Sequence, residues 1–309
     1  MQPATVNLQP LFLAGPTASG KSAVALALAE RLGGEIISVD SMQVYRGLDL
    51  GTAKPSAAER ARVPHHLIDV AELSEPFDAA RFVQLARRAE AEIRGRGRVP
   101  IFCGGTGLYF KAYLEGLGES PPADPELRVE LESTPLPALL AELERCDPET
   151  FGRIDRQNPR RVVRALEVIR LTGKPFSAQR AEWNPKSEAR NPKPVFCLTR
   201  SPADLRARIE TRVDEMFRRG LVDETHALLA CGLEQNRTAM QALGYRQVVE
   251  HLRGERGLDE TIALVKARTW QFARRQMTWF RRQQGVIWLE SASDEPTGNL
   301  VERLLASWH

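Results

Sequence analysis

The sequence predicts an α/β protein, a parallel sheet wrapped by helices and interrupted by a helical insertion. Three patterns carry that reading. A short apolar run leads through a glycine-punctuated loop into an alanine- and leucine-rich helix; further apolar strands alternate with stretches of helical spacing; and across residues 116–194 strand character disappears. The 309 residues correspond to roughly two domains at about 150 each, and 42% hydrophobic content can build a substantial core.

Taken in order, Leu11 to Ala14 reads as a buried strand and Gly15 to Gly20 as a loop. Lys21 to Leu32 reads as a helix that Gly33-Gly34 stops. Glu35 to Asp40, EIISVD, is a second strand. Ala80, Val83, Ala86, Ala89 and Ile93 then recur at helical spacing until Gly95, and Val99 to Cys103 is the third strand. After Tyr113 the segment LEGLGESPPADPEL is rich in glycine, proline and acid, and Leu136 to Arg170 is helical in pattern. The polar, proline-spaced stretch Trp183 to Pro194 closes the insertion, because Val195 to Thr199 looks like a core strand returning to the sheet. The rest is mostly helical, through Arg206 to Leu229 and Thr261 to Gln284, before a last strand at Val286 to Leu289. The core thus comprises 1–115 and 195–309, and the insertion 116–194. No internal repeat is evident.

Forty-three basic residues against 40 acidic leave a formal charge of only +3, so attraction to a polyanion must come from local clusters. Cys103, Cys146, Cys197 and Cys231 lie far apart with no CxxC pair, and read as reduced, mostly buried thiols. The opening MQPATVNLQP lacks a basic region followed by an apolar stretch, and nowhere do eighteen apolar residues run together. A cytoplasmic protein without membrane contact is expected.

Gly15, Pro16, Thr17, Ala18, Ser19, Gly20, Lys21 and Ser22 spell GPTASGKS, the P-loop pattern of nucleotide-binding and ATP-binding proteins, placed as it should be between strand and helix. The core is therefore expected to be P-loop NTPase-like. Loop N–H groups and the positive end of the following helix suit a di- or triphosphate; Lys21 adds a charge and the Ser22 hydroxyl suits Mg²⁺. The third strand, which in ordinary P-loop NTPases ends near a metal-holding aspartate, here runs into Gly104-Gly105-Thr106. The acid instead ends the second strand, as Asp40. Strand ends of a parallel sheet face the ligand crevice, so Asp40 suits metal binding or proton abstraction, while a turn or N-cap aspartate is the plainer alternative.

Together GPTASGKS (15–22), DSMQVY (40–45), GTAKP (51–55), HHLID (65–69), GGTGLY (104–109), NPRRVVRALEV (158–168), RGLVDE (219–224), ALGYRQ (242–247) and RRQMTWFR (274–281) resemble the tRNA dimethylallyltransferases, in order and over nearly the whole chain. The resemblance implies transfer of a dimethylallyl group from dimethylallyl diphosphate, with Mg²⁺, to N6 of the adenine on the 3′ side of the anticodon. It implies that the P-loop holds an allylic diphosphate, that Asp40 is the general base, and that Thr106 lies at the reaction centre; Thr106 also suits a helix N-cap.

An adenine amino nitrogen is a poor nucleophile, and its base must be turned out of the anticodon loop to react. Ser41, Met42 and Gln43 beside Asp40 offer groups for reading that base, and Tyr45 could stack; Met42 and Tyr45 equally suit core packing. An arginine from the 200–212 region, where Arg208 and Arg212 share a helix face, suits the leaving diphosphate. Two basic clusters suit RNA phosphates: Arg153, Arg156, Arg160, Arg161 and Arg164, and Lys266, Arg268, Arg274, Arg275, Arg281 and Arg282, although a charge run is commonly a solvated face. The resemblance places the tRNA anticodon stem-loop against Arg128, against Arg160, Arg161, Val162, Val163 and Arg164, and against Ala242, Leu243, Gly244, Tyr245, Arg246 and Gln247, with Tyr245 stacking and Arg246 on a phosphate. His65 and His66 have no partners spaced for a metal and read as structural. A monomer is expected. Rival readings are an adenylate prenyltransferase, against which the arginine-rich insertion argues, a P-loop nucleotide kinase, and a tRNA-binding protein with a dead P-loop.

Overall fold

A computed structural model describes residues 8–116, 121, 123–179 and 194–308. In chain order the elements are β1 (Leu11–Ala14), α1 (Lys21–Leu32), β2 (Glu35–Val39), α2 (Ala57–Arg62), β3 (His65–His66), α3 (Ala79–Gly95), β4 (Pro100–Gly104) and α4 (Gly107–Glu115); then α5 (Pro125–Ser133), α6 (Leu136–Cys146), α7 (Pro148–Arg153) and α8 (Pro159–Thr172); and finally β5 (Val195–Arg200), α9 (Pro202–Arg218), α10 (Leu221–Ala230), α11 (Tyr245–Leu252), α12 (Leu258–Arg281), β6 (Val286–Ser291) and α13 (Thr297–Ala306). Every strand pairs in parallel, in the order β3-β2-β4-β1-β5-β6. The chain moves from β1 toward one edge and later returns on the other side of β1, so a ligand crevice opens beyond the carboxyl ends of the central strands.

Side chains alternate between the two faces, which explains the apolar runs in the sequence. Phe12, Ile37, Val39 and Phe102 face α3, α4 and α11 in one core, and Leu11, Leu13, Ile36, Ile101 and Leu198 face α1 and α13 in the other. A smaller cluster, Leu205, Ile209, Val213, Val265 and Ala273, joins α9 to α12 with Ala18 of the P-loop packed against it.

The chain divides into two compact units, 1–114 with 190–309, and 115–189. The second is a helical unit around Leu131, Leu139, Leu143, Val162, Val163 and Leu166. The Leu136 to Arg170 stretch is three helices: buried Asp147 caps α7 through the Thr150 N–H at 2.9 Å, and prolines open α7 and α8. Likewise Arg206 to Leu229 is broken at Gly220, whose left-handed φ of 99° ends α9 and starts α10. The strand at β3 is too short to leave a period in the sequence. Of the stretch Trp183 to Pro194 only Pro194 is among the described residues. All four cysteines are free; Cys103 and Cys197 are buried and Cys231 is exposed. Among the described residues no helix is long and apolar enough to cross a membrane.

Candidate active site

Four strand ends supply the site: β1 runs into the P-loop, β2 into Asp40, β4 into Gly105-Thr106, and β5 ends at Arg200. The P-loop bends through left-handed residues Ala18 (φ 63°) and Gly20 (φ 95°). At Gly15 a Cβ would come 2.7 Å from the Leu198 carbonyl, so β5 leaves room only for glycine. The loop's carbonyls are held from outside. Buried Arg200 donates through Nε to Ser19 at 2.8 Å, and is itself fixed by Asp204 at 2.9 Å and the Ala292 carbonyl at 3.0 Å; Arg208 donates to Ala18 at 3.3 Å. The Thr17 N–H is engaged by the Gln276 Oε1 at 2.9 Å and is therefore not a free phosphate donor.

Two cations sit here with poor solvation. Lys21 donates to the Pro16 carbonyl at 3.3 Å; burial pulls its ammonium below the usual lysine value, Arg212 adds to the effect and Asp40 opposes it. On α9, the Arg212 Nε is buried and has no hydrogen-bond partner among the described residues; burial lowers this group too, with Asp40 again opposing. Desolvated cations are costly until an anion joins them. Of the arginines on the shared face of α9, Arg208 is thus spent on the loop backbone, whereas Arg212 keeps unspent donor capacity.

Asp40 is held by an Asx turn: its Oδ1 accepts the Met42 N–H at 2.8 Å and the Gln43 N–H at 3.2 Å. Thr106 brackets it, donating its N–H to the Val39 carbonyl at 3.2 Å and accepting the Ser41 N–H on its hydroxyl at 3.1 Å. That hydroxyl serves the Asp40 turn rather than capping α4, and retains its own proton to donate.

Several expected contacts read differently in three dimensions. The Gln43 amide is spent internally, accepting from Ser38 at 2.9 Å and donating to the Thr52 and Ala53 carbonyls at 3.1 and 3.3 Å. Tyr45 is fully buried and Met42 packs against the same core. Tyr245 does not stack on a base: it is fully buried, donating to Glu224 at 2.6 Å and accepting the Gly51 N–H at 3.1 Å. Ala242, Val162 and Val163 are also core residues, whose side chains do not reach the surface. Leu243, exposed Arg246 and Gln247 do line an open groove of about 470 Å³ with Arg256 and Arg268, although Arg246 is paired with Glu250 at 3.0 Å. Gln247 accepts the Gly244 N–H at 3.1 Å.

The motifs GTAKP, HHLID and RGLVDE are largely joints between loops. The Lys54 ammonium is buried against the Tyr45 carbonyl at 2.6 Å, Asp49 at 2.7 Å and Asp69 at 2.5 Å. Glu224 accepts the Leu50 N–H at 3.0 Å as well as the Tyr245 hydroxyl, and burial raises its pKa. His66 lies 2.6 Å from Glu35 at the sheet's other end, a structural contact.

In the helical unit Arg160 and Arg161 are exposed. Arg128 and Arg164 each reach the fully buried Glu167 carboxylate at 2.6 Å, and Glu167 also accepts the Asp124 N–H at 3.1 Å. Burial pushes the Glu167 pKa up, but the two arginines more than reverse this and hold it low. In α12 Lys266 pairs with Asp214 at 2.6 Å, whereas Arg274, Arg275 and Arg281, and Arg282 just past its end, are exposed. Sequence reasoning missed Gln276 and Glu167, since nothing in a single sequence distinguishes a lone glutamine or a helix glutamate from its neighbours; Arg200, the first arginine of the 200–212 region, is engaged by the loop backbone and Asp204.

The profile of the IPP transferase family matches residues 43–283. The chain is 44% identical to tRNA dimethylallyltransferase 1 of Citrifermentans bemidjiense, over 98% of this chain and 100% of the relative. It is 47% identical to the tRNA dimethylallyltransferase of Geobacter metallireducens, over 91% and 92%. Among solved structures it is similar to the full-length tRNA isopentenylpyrophosphate transferase of Bacillus halodurans, with a TM-score of 0.71, 38% identity, and coverage of 97% of this chain and 96% of that one. It is similar also to a eukaryotic dimethylallyltransferase acting on tRNA, with a TM-score of 0.77, 28% identity, and coverage of 91% and 73%.

Proposed function

The chain belongs to the IPP transferase family, and from that premise we propose that it transfers the dimethylallyl group of dimethylallyl diphosphate to N6 of the adenine 3′ to the anticodon of tRNA, releasing diphosphate. It acts as a cytoplasmic monomer. The observation that carries this reading is the pair of half-buried cations, Lys21 at the P-loop and Arg212 on α9, both within reach of the Asp40 charge. Allylic substitution develops negative charge on the departing diphosphate, and cations already partly stripped of water stabilise that charge with little reorganisation. The loop from Gly15 to Ser22 cradles the diphosphate, Lys21 and Arg212 neutralise it, and Asp40 takes the N6 proton as the new C–N bond forms while the C1–O bond breaks. Thr106, locked to the Asp40 turn, contacts the substrates at the reacting end.

The residue that would hold Mg²⁺ is Ser22. The Ser22 hydroxyl is exposed at the start of α1, and among the described residues no group of three acids, histidines or cysteines makes a protein cage. A hard oxygen donor of this kind suits Mg²⁺, which would supply charge neutralisation to the diphosphate there. Arg128, Arg160, Arg161 and Arg164 of the helical unit, and Arg246 with the exposed face of α12, serve the anticodon stem-loop phosphates.

Transfer of label from dimethylallyl diphosphate to tRNA tests the reading, with AMP as a parallel acceptor and ATP as a competitor. Labelled tRNA is expected. Labelled AMP with unlabelled tRNA favours an adenylate prenyltransferase, and ATP turnover without prenyl diphosphate favours a kinase.

A further inference from the structure

We propose that Gln276 is a positioning residue that sets the spacing between the diphosphate cradle and the Asp40–Thr106 pair; the inference rests on the functional reading above. The Gln276 side chain is 8% exposed and both ends of its amide are used. Its Oε1 accepts the Thr17 N–H of the P-loop at 2.9 Å, and its Nε2 donates to the Gly105 carbonyl at 3.0 Å. The residue after Gly105 is Thr106, whose N–H and hydroxyl hold Val39 and Ser41 on either side of Asp40. One amide therefore spans the leaving-group side and the base side of the site.

The close approach is built in. A Cβ at Gly105 would lie 2.2 Å from Gln276 Nε2, and a Cβ at Gly107 would lie 2.2 Å from the Trp279 ring, so α12 grips this loop at two points nearly one turn apart. Gln276 is itself flanked on α12 by buried Ala273, Met277 and Phe280, a rigid mount. A glycine-rich loop has little stiffness of its own, so a brace from a long helix supplies what the glycines give up. The tie needs one donor and one acceptor on the same side chain, which Gln provides at all pH values and Glu only when protonated.

Q276M keeps the length and removes both bonds, and Q276E keeps the acceptor and makes the donor depend on pH. In prenyl transfer to tRNA, Q276M is expected to lower kcat by about 100-fold, with KM for dimethylallyl diphosphate and calorimetric affinity for inorganic pyrophosphate changed less than about threefold, because reacting geometry rather than binding is lost. The Q276E to wild-type ratio of kcat is expected to be highest at low pH and to fall as pH rises; taking the ratio removes titrations common to both enzymes. An unchanged kcat at saturation with only a lower melting temperature overturns the proposal, as does a flat Q276E ratio, or pyrophosphate affinity lost with kcat intact. If Q276M does not fold, the Q276E profile decides. Wild-type enzyme that transfers nothing sinks the functional reading itself, whereas active wild type with equally active variants removes this inference alone.

Discussion

Replacing Asp40 with asparagine separates the chemistry of the site from its architecture. The carboxylate Oδ1 accepts the Met42 and Gln43 N–H groups at 2.8 and 3.2 Å, and an asparagine oxygen in the same rotamer accepts both. What is lost structurally is the charge assistance of two hydrogen bonds, at most about 1 kcal/mol each. What is lost chemically is the proton acceptor, about 100- to 10,000-fold in rate, or roughly 3–5 kcal/mol at the transition state. Diphosphate binding should hold or tighten, because Asp40 is the acid beside Lys21 and Arg212, and its removal leaves their charge less compensated. Single-turnover transfer of labelled dimethylallyl to tRNA, alongside filter binding, measures these quantities separately. The expected result is near-complete loss of transfer, with tRNA affinity preserved within a few-fold. A D40N rate within about tenfold of wild type refutes the assignment, since a positioned base contributes more than that.

Arg212→Ala should cost about 10- to 100-fold in kcat/KM for dimethylallyl diphosphate, the worth of one or two charge-assisted bonds, while R208A costs less because Arg208 braces the loop backbone; equal losses in steady-state kinetics would contradict the choice of Arg212. Tyr245→Phe removes a hydroxyl with two buried partners and should destabilise by about 1–3 kcal/mol in urea melts, leaving tRNA affinity nearly unchanged; the reverse pattern would restore a stacking role. Glu167 is held below its ordinary value of 4.5, so its ionised form contributes stability above that value and loses it as pH falls through the depressed one. The melting temperature of wild type should therefore exceed that of E167Q near neutrality, and the gap should narrow in acid; a constant gap from pH 7 to 3 would show that the charge is not what Arg128 and Arg164 grip.

Much of the fold was legible from local chemistry. β1 and α1 lie where the apolar run and the glycine stops put them, since strand burial and helix termination act within a few residues. Asp40 stood out because a strand ended in an acid, and the structure keeps it just off the end of β2. The helical insertion was visible as a loss of strand pattern, but its division into α6, α7 and α8 depends on the capping by Asp147, which Ser177 also joins at 2.7 Å. Tyr245 was misread because an aromatic in an RNA-associated motif and an aromatic in a core look alike until its neighbours are known.

The sequence by itself determined the phosphate cradle, the alternation of strands and helices and the family, because these are written in contiguous residues whose backbone preferences and spacing suffice. Only the tertiary structure chose Arg212 over Arg208, sent Tyr245 inward and set Gln276 between two loops. Those outcomes depend on groups 259 residues apart, as for Thr17 and Gln276, or 171 apart, as for Gly105 and Gln276, meeting within 3.0 Å. A hydrogen bond is decided by where its partner lies in space, and no local propensity carries that distance.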